Sequence, residues 1–205
     1  MEDRFAYVGA APFFGRMVQA GLTGDVFGPP LPGCTARGSA AEAVARADFA
    51  FVHAARTDDL PMIVRSIERG LPAGACAVLM ADDAARAGID EAGERLDALG
   101  LAALDLAWLL NPLQLLFGGE RDTFDMLKQA LAPLSKPLFV GPLGAGHAAR
   151  TFAGRARSSE KEVRSAFADA IARGAFPAQL RNVARPNADE ALLQLLDGLV
   201  ADHSR

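Results

Sequence analysis

Two stretches of this chain carry residue types at spacings that could do chemistry. The first is Arg4–Val8, an apolar strand-like run that turns through Gly9-Ala10-Ala11-Pro12 into Phe13 and a helix-like segment ending near Gln19. A strand that turns through glycine into a helix leaves the first N–H groups of the helix without partners, and a nucleotide pyrophosphate can be seated on them. Such a seat asks for Gly-x-Gly-x-x-Gly, so that no side chain stands where backbone meets phosphate. Here the frame reads Gly9, Ala11, Phe14, with Gly15 one place late. Alanine at the second position is a mild obstruction, and phenylalanine at the third demands a different packing of helix on strand. The turn is either a degraded phosphate seat or a plain strand-to-helix connection. Gly9, Ala10, Ala11, Pro12 and Phe13, with Ala54 and Ala55 after a second buried strand, form the candidate cofactor-binding set.

The second stretch is Gly141-Pro142-Leu143-Gly144-Ala145-Gly146-His147-Ala148-Ala149-Arg150. His147 stands one helical turn before Arg150. An imidazole titrates near neutral pH and can move a proton, whereas a guanidinium keeps its charge and can only anchor an anion. His147 and Arg150 are the catalytic candidates; Asp82, Gly144, Gly146 and Gly154 are the candidates for contact with a substrate or anion. His147 reads equally as a surface or capping group. Asp105, at a strand end, reads as a helix cap more readily than as an acid or base. Arg150, Arg155 and Arg157 are either an anion site or a solvated helix face.

The elements that must position these groups follow from periodicity. Short apolar runs (25–27, 48–52, 76–80, 101–108, 113–117, 136–140) alternate with longer amphipathic ones, the pattern of a mostly parallel sheet covered by crossover helices on both faces. Gly28-Pro29-Pro30-Leu31-Pro32-Gly33 reads as a loop, because proline removes donors and fixes φ. Ser39 and Glu42 stand at capping-box spacing and start a helix through Ala47; Asp58 is placed to cap the next, with Pro61 in its first turn and Gly70 at its end. A further helix spans 84–99 and another 123–131.

From His147 the pattern is helical only. Ala148, Phe152, Ala156, Val163, Phe167 and Ile171 form one stripe, which predicts a single helix over 147–173, ~40 Å long. A rod of that length has to cover its stripe with the body or with another subunit, so a homodimer through this helix is expected. Gly174 and Pro177 end it, Pro186 breaks the chain again, and 191–201 makes a last helix. The organisation is then an α/β domain over 1–146 and a short all-α tail over 147–205.

Composition excludes several classes. Half of the 205 residues are hydrophobic (51%) and the net charge is −4, which argues for a globular fold and against a general nucleic-acid binder. Residues 150–185 carry eight basic and three acidic side chains, against twelve and eighteen in 1–149. That asymmetry suits either a basic helix docked on an acidic body or an anionic ligand along it. Cys34 and Cys76 lack CxxC spacing and no early run has the flanks of a signal peptide, pointing to a reducing cytoplasm. No window reaches the ~18 apolar residues of a membrane helix. His53, His147 and His203 are scattered, so no metal is expected.

The order and spacing of these pieces over residues 4–154 resemble the β-hydroxyacid dehydrogenases, the relatives of 3-hydroxyisobutyrate and 6-phosphogluconate dehydrogenase. Phe5-Ala6-Tyr7-Val8-Gly9 through Arg16-Met17 is similar to that family's opening, Glu42-Ala43-Val44-Ala45-Arg46-Ala47-Asp48 to its third crossover, and Val140–Arg150 to the entry into its interdomain helix. The resemblance implies a Rossmann-type fold, NAD or NADP as cofactor, and a small hydroxy acid as substrate. It also implies losses. Arg150 stands where the family has a catalytic lysine, and arginine does not release its proton near neutral pH. Gly154 replaces an asparagine, and Ala81 and Asp82 replace the hydroxyls that orient a substrate carboxylate. Leu106-Ala107-Trp108-Leu109-Leu110-Asn111-Pro112 runs on where a serine- and glycine-rich substrate loop belongs. Gly28-Pro29-Pro30 offers no carboxylate for the adenosine ribose, so dinucleotide binding is expected to be weak or absent. Three readings stay open: a lapsed relative kept as a binding or assembly module, an altered NAD(P)-dependent oxidoreductase, and a sensor of small anions or nucleotides.

Overall fold

The computed structural model describes residues 3–83, 87–156 and 158–203. Its eight strands are β1 (Phe5–Val8), β2 (Gly24–Phe27), β3 (Thr35–Ala36), β4 (Phe49–Ala54), β5 (Cys76–Ala81), β6 (Ala102–Leu110), β7 (Leu113–Gly119) and β8 (Leu138–Gly141). They form one sheet in the order β3-β2-β1-β4-β5-β6-β7-β8. Neighbours run parallel except β6 and β7, an antiparallel pair with Leu106 opposite Phe117. The nine helices described are α1 (Phe14–Gln19), α2 (Ala40–Val44), α3 (Leu60–Ile67), α4 (Ala87–Asp97), α5 (Arg121–Leu131), α6 (Ala145–Arg155), α7 (Glu160–Ala172), α8 (Pro177–Ala184) and α9 (Glu190–His203). The mostly parallel α/β sheet expected from sequence is the observed architecture.

β4 and β5 are buried along their whole length, as continuous apolar strands under helices on both faces must be. Alternation sorts their side chains. Tyr7, Phe51, Val78, Leu106 and Phe117 pack with Phe14 and Met17 of α1 and with Phe124, Leu127 and Leu131 of α5. Val8, Val52 and Leu79 pack on the other side with Val44 of α2, Val64 of α3 and Ile89 of α4. Each such side chain, once withdrawn from water, contributes roughly 1.5–3 kcal/mol. Phe14 packs its ring 5.0 Å from that of Tyr7, so the third position of the glycine frame is filled by core. The Tyr7 hydroxyl donates to the Leu22 carbonyl, and burial pushes its pKa far up.

Where the chain leaves β1 it goes one way to β2 and β3, then crosses back to β4 on the other side. The carboxyl ends of β1 and β4 therefore flank the point of reversal, where open α/β sheets bind ligands.

Local departures from the sequence reading have local causes. The loop after Phe27 ends in an unanticipated two-residue edge strand, β3, which pairs with Asp25 and Val26 once the prolines that lack donors are past. Ser39 Oγ accepts from the Glu42 N–H as its spacing predicts, and the Glu42 carboxylate accepts from the Gly38 N–H, but α2 stops at Val44. Asp58 does not cap α3: its carboxylate pairs with Arg56 at 3.0 Å, and a 3-10 turn, Thr57–Asp59, leads in. The expected helix start at Ala84 lies outside the described residues.

The single helix expected over 147–173 is not formed. α6 ends at Arg155 and α7 begins after Ser159, whose hydroxyl and backbone exchange a capping box with Glu162. A cap signal inside the apolar stripe satisfies the amides of a new helix start, and the chain turns instead of continuing. α7 folds back on α6, with the Phe152 and Phe167 rings edge to face at 5.9 Å. The stripe is thus covered by the tail itself and by Leu116 and Val140 of the sheet. Arg164 pairs with Glu160 and Arg181 with Asp197, both within the tail. No helix among the described residues is long and apolar enough to cross a membrane.

Candidate functional site

The crevice at the point of reversal is closed in tightly by backbone. Gly9 has φ +98°, and a Cβ there would stand 2.3 Å from the His53 carbonyl oxygen, so only glycine lets the end of β1 approach β4. Its N–H donates to Phe27 O at 3.0 Å. Ala10 and Pro12 are exposed on the turn, and Ala11 is buried. Ala54 is buried at the opposite lip, with Ala55 exposed beside it. Phe13 turns inward and stacks on Trp108 of β6, the ring centroids 6.0 Å apart and 16° from parallel.

Trp108 organises the site, and sequence reasoning did not single it out. Its ring also lies 6.2 Å from that of His53, and the guanidinium of Arg150 sits 5.8 Å from its centroid. His53 Nε2 is 3.2 Å from Asp82 Oδ1. Trp108, the sole tryptophan, lies three residues beyond Asp105, and His53 is the next-to-last residue of a buried strand. Those two placements were the available signal.

Arg150 comes from the middle of α6 and reaches the carboxyl end of β5. Nη1 donates to Ala81 O at 3.0 Å, and Nη2 to Asp82 O at 2.7 Å and Asp83 O at 2.5 Å. Its pKa is lowered, chiefly by burial, against the raising influence of the Asp82 and Asp83 charges. Asp83 in turn accepts from the Thr57 N–H at 2.9 Å. The cation that sequence offers for a substrate anion is engaged with backbone carbonyls.

His147 and Asp105 lie one layer deeper, 1% and 0% exposed. Asp105 Oδ1 accepts from Gly144 N at 2.7 Å, and Oδ2 from His147 N at 3.1 Å and from His147 Nδ1 at 2.9 Å. The Ala81 N–H donates to Nε2 at 3.2 Å. That last bond fixes the tautomer, with the ring proton on Nδ1. Asp105 therefore caps the start of α6, and both ring nitrogens of His147 have partners inside the protein. The glycines gather around the same carboxylate: Gly144 has φ +87°, and a Cβ on Gly146 would stand 2.6 Å from Asp105 Oδ2 and 2.5 Å from Leu116 O. Gly154 is exposed with nothing within 4 Å of a Cβ, and Arg155 is exposed beside it. Arg157 lies outside the described residues.

Among the described residues no group of three or more His, Cys, Asp or Glu could hold a metal ion. The Cys76 thiol is buried, which pushes its pKa well up, and burial also raises that of half-buried Cys34.

No protein-family model matches the sequence, and no curated protein matches it. Solved structures do. A variant of the imine reductase from Myxococcus stipitatus, in complex with NAD+, is similar with a TM-score of 0.63 at 20% identity over 72% of this chain and 58% of that one. The 3-hydroxyisobutyrate dehydrogenase of Mycobacterium tuberculosis, with L-serine, gives 0.67 at 20% identity over 84% and 66%. The enzyme of that name from Salmonella typhimurium gives 0.59 at 16% over 98% and 79%. The fold is that of the β-hydroxyacid dehydrogenases. This chain spans 58% and 66% of the length of the first two of these proteins. In this chain Arg150 is bound to the carbonyls at the end of β5 and just beyond it, and Gly154 has no side chain.

Proposed function

We propose that this chain is a β-hydroxyacid-dehydrogenase-like Rossmann protein in which internal contacts have taken over the reaction site, leaving a binding or assembly module. The observation that carries the reading is Arg150, whose guanidinium donates to three consecutive carbonyls and covers Trp108 while Phe13 stacks on the same indole. A group that is to bind substrate must be free to exchange partners, and this one would have to abandon three charge-assisted bonds first.

The residues at the turn do not fit a dinucleotide. α1 has six residues, Pro12 has no N–H, and the Phe14 N–H is already bonded to Ala11 O at 3.0 Å. The anion at the start of α6 is the protein's own Asp105. NAD and NADP are therefore expected to bind weakly or not at all. Titrating NADH and NADPH against the melting temperature tests this, because a ligand at 100 times its dissociation constant stabilises by about 2.7 kcal/mol. No shift at millimolar cofactor is the expected result; a saturable shift with turnover of a hydroxy acid or imine overturns the reading.

The second reading is an NAD(P)-dependent oxidoreductase with Arg150 as carboxylate anchor, favoured by the cofactor-bound state of a protein of similar fold. It requires Arg150→Lys to create or raise turnover, whereas the module reading expects no activity from either protein. Assembly as a homodimer belongs to the module reading. The apolar stripe of 147–173 expected to carry that dimer is covered within the chain, so a dimer would have to use another face, and light scattering tests whether one forms.

A further inference from the structure

On the face of the sheet covered by α5, away from the crevice, α5, β8 and α8 enclose a groove of about 640 Å³. It shares no lining residue with the site described above. Three cations line it, Arg121, Lys128 and Lys136, and no carboxylate does. Arg121 and Lys128 both pair with Asp125, at 3.3 and 2.7 Å, so one acid is shared between two bases. Lys136 has no ion-pair partner among the described residues. The floor is aromatic: the Arg121 guanidinium lies 5.1 Å from the Phe139 ring centroid and 5.8 Å from that of Phe124, and both rings are buried.

A guanidinium laid on aromatic rings is held in one orientation. Nε donates to Asp125 at 3.3 Å, and the outer face and the Nη N–H groups are left for a second planar group and an oxyanion, with less freedom lost on binding than from a mobile side chain. Ser135, also in the lining, keeps its hydroxyl oxygen out of contact with solvent and without a hydrogen-bond partner. A buried hydroxyl left unbonded is costly, and a ligand oxygen would relieve it.

The geometry points to this groove as a binding site for a small anion with a flat apolar body, such as an aryl phosphate or carboxylate. The oxyanion lies between Arg121 and Lys136, and the ring lies against the guanidinium stacked on Phe139. Nothing in this depends on the crevice, so it holds whether or not a dinucleotide binds.

Phenyl phosphate is the probe, with inorganic phosphate at equal charge and concentration as the control. Amide ¹H–¹⁵N spectra and thermal shifts of the full chain are followed up to about 10 mM ligand. The expected result is saturable binding of phenyl phosphate, with amide shifts around Phe139 and Gln179, and no matching response to inorganic phosphate. Lys136→Ala, an exposed change that leaves the fold intact, weakens binding about tenfold, the effect of losing one charged contact. Arg121→Gln weakens it at least as much, and Ser135→Ala by a smaller factor. The proposal is overturned by no response at 10 mM, by equal responses to both phosphates, or by unchanged affinity in Lys136→Ala. Saturation of the same amides by a glutamate-rich peptide in preference to phenyl phosphate would make the partner a polypeptide and overturn it too.

Discussion

Replacing Asp105 by asparagine preserves shape and removes one hydrogen-bond pattern, which makes it the sharpest probe of the buried bracket between β6, β5 and α6. The carboxylate accepts three bonds, from Gly144 N, His147 N and His147 Nδ1. An asparagine amide has one accepting and one donating end. With its oxygen toward His147, the amino group faces the Gly144 N–H and both are left unpaired. With its oxygen toward Gly144, the imidazole has to move its proton to Nε2, where it meets the Ala81 N–H, and the His147 N–H is orphaned. Neither arrangement satisfies every donor. At about 1–3 kcal/mol for a buried unpaired group, together with weakening of charge-assisted bonds into neutral ones, the loss is roughly 2–5 kcal/mol. For a chain of this length that is a fall in melting temperature on the order of 10 °C. Urea unfolding followed by circular dichroism measures it. A change below about 1 kcal/mol refutes the bracket, because a surface carboxylate commonly changes stability by no more than that. Retained stability with loss of a turnover present in the parent would instead mark Asp105 and His147 as catalytic.

The tail and the glycines give further outcomes. Gly146→Ala is expected to destabilise by about 1–3 kcal/mol, because its methyl meets Leu116 O and Asp105 Oδ2, whereas Gly154→Ala on the exposed face of α6 gains about 1 kcal/mol of helix propensity; chemical denaturation of the pair reads both signs. Ser159→Ala removes the cap that separates α6 from α7 and is expected to cost about 1 kcal/mol, visible in faster amide exchange at the start of α7. Asp48 has its pKa lowered by its bond to Arg4, from an ordinary value of 3.8. A carboxylate depressed in the folded state adds stability above that ordinary value and loses it as pH falls through the folded one. Arg4→Ala should therefore reduce stability at neutral pH and leave it unchanged once Asp48 is protonated, as melting curves between pH 7 and strongly acidic conditions would report.

Much of the molecule was legible in the chain because local rules and tertiary demands agree there. The continuous apolar runs of β4 and β5, the Ser39 cap and the proline-broken loop after Phe27 each follow from neighbours in sequence. So does the resemblance of Val140–Arg150 to a helix entry, and with it the fold. The capping box at Ser159–Glu162 was equally local, yet the apolar stripe running through it on both sides masked it. Two compatible signals overlapped there, and periodicity alone does not decide which wins.

The site is different in kind. Sequence determined which groups stand there: a guanidinium at Arg150, a methyl at Ala81 and no side chain at Gly154. What fills the space was decided by tertiary structure, since the partners of Arg150 lie 67 to 69 residues away and those of Asp105 up to 42. Hydrogen bonds across such separations depend on strand order and on where α6 crosses the sheet, and no periodicity encodes either. The same holds for the stacking of Phe13 on Trp108, which joins the first turn to the sixth strand. Residue types set what each group can donate or accept; only the packed fold determines whether a ligand or the protein itself receives it.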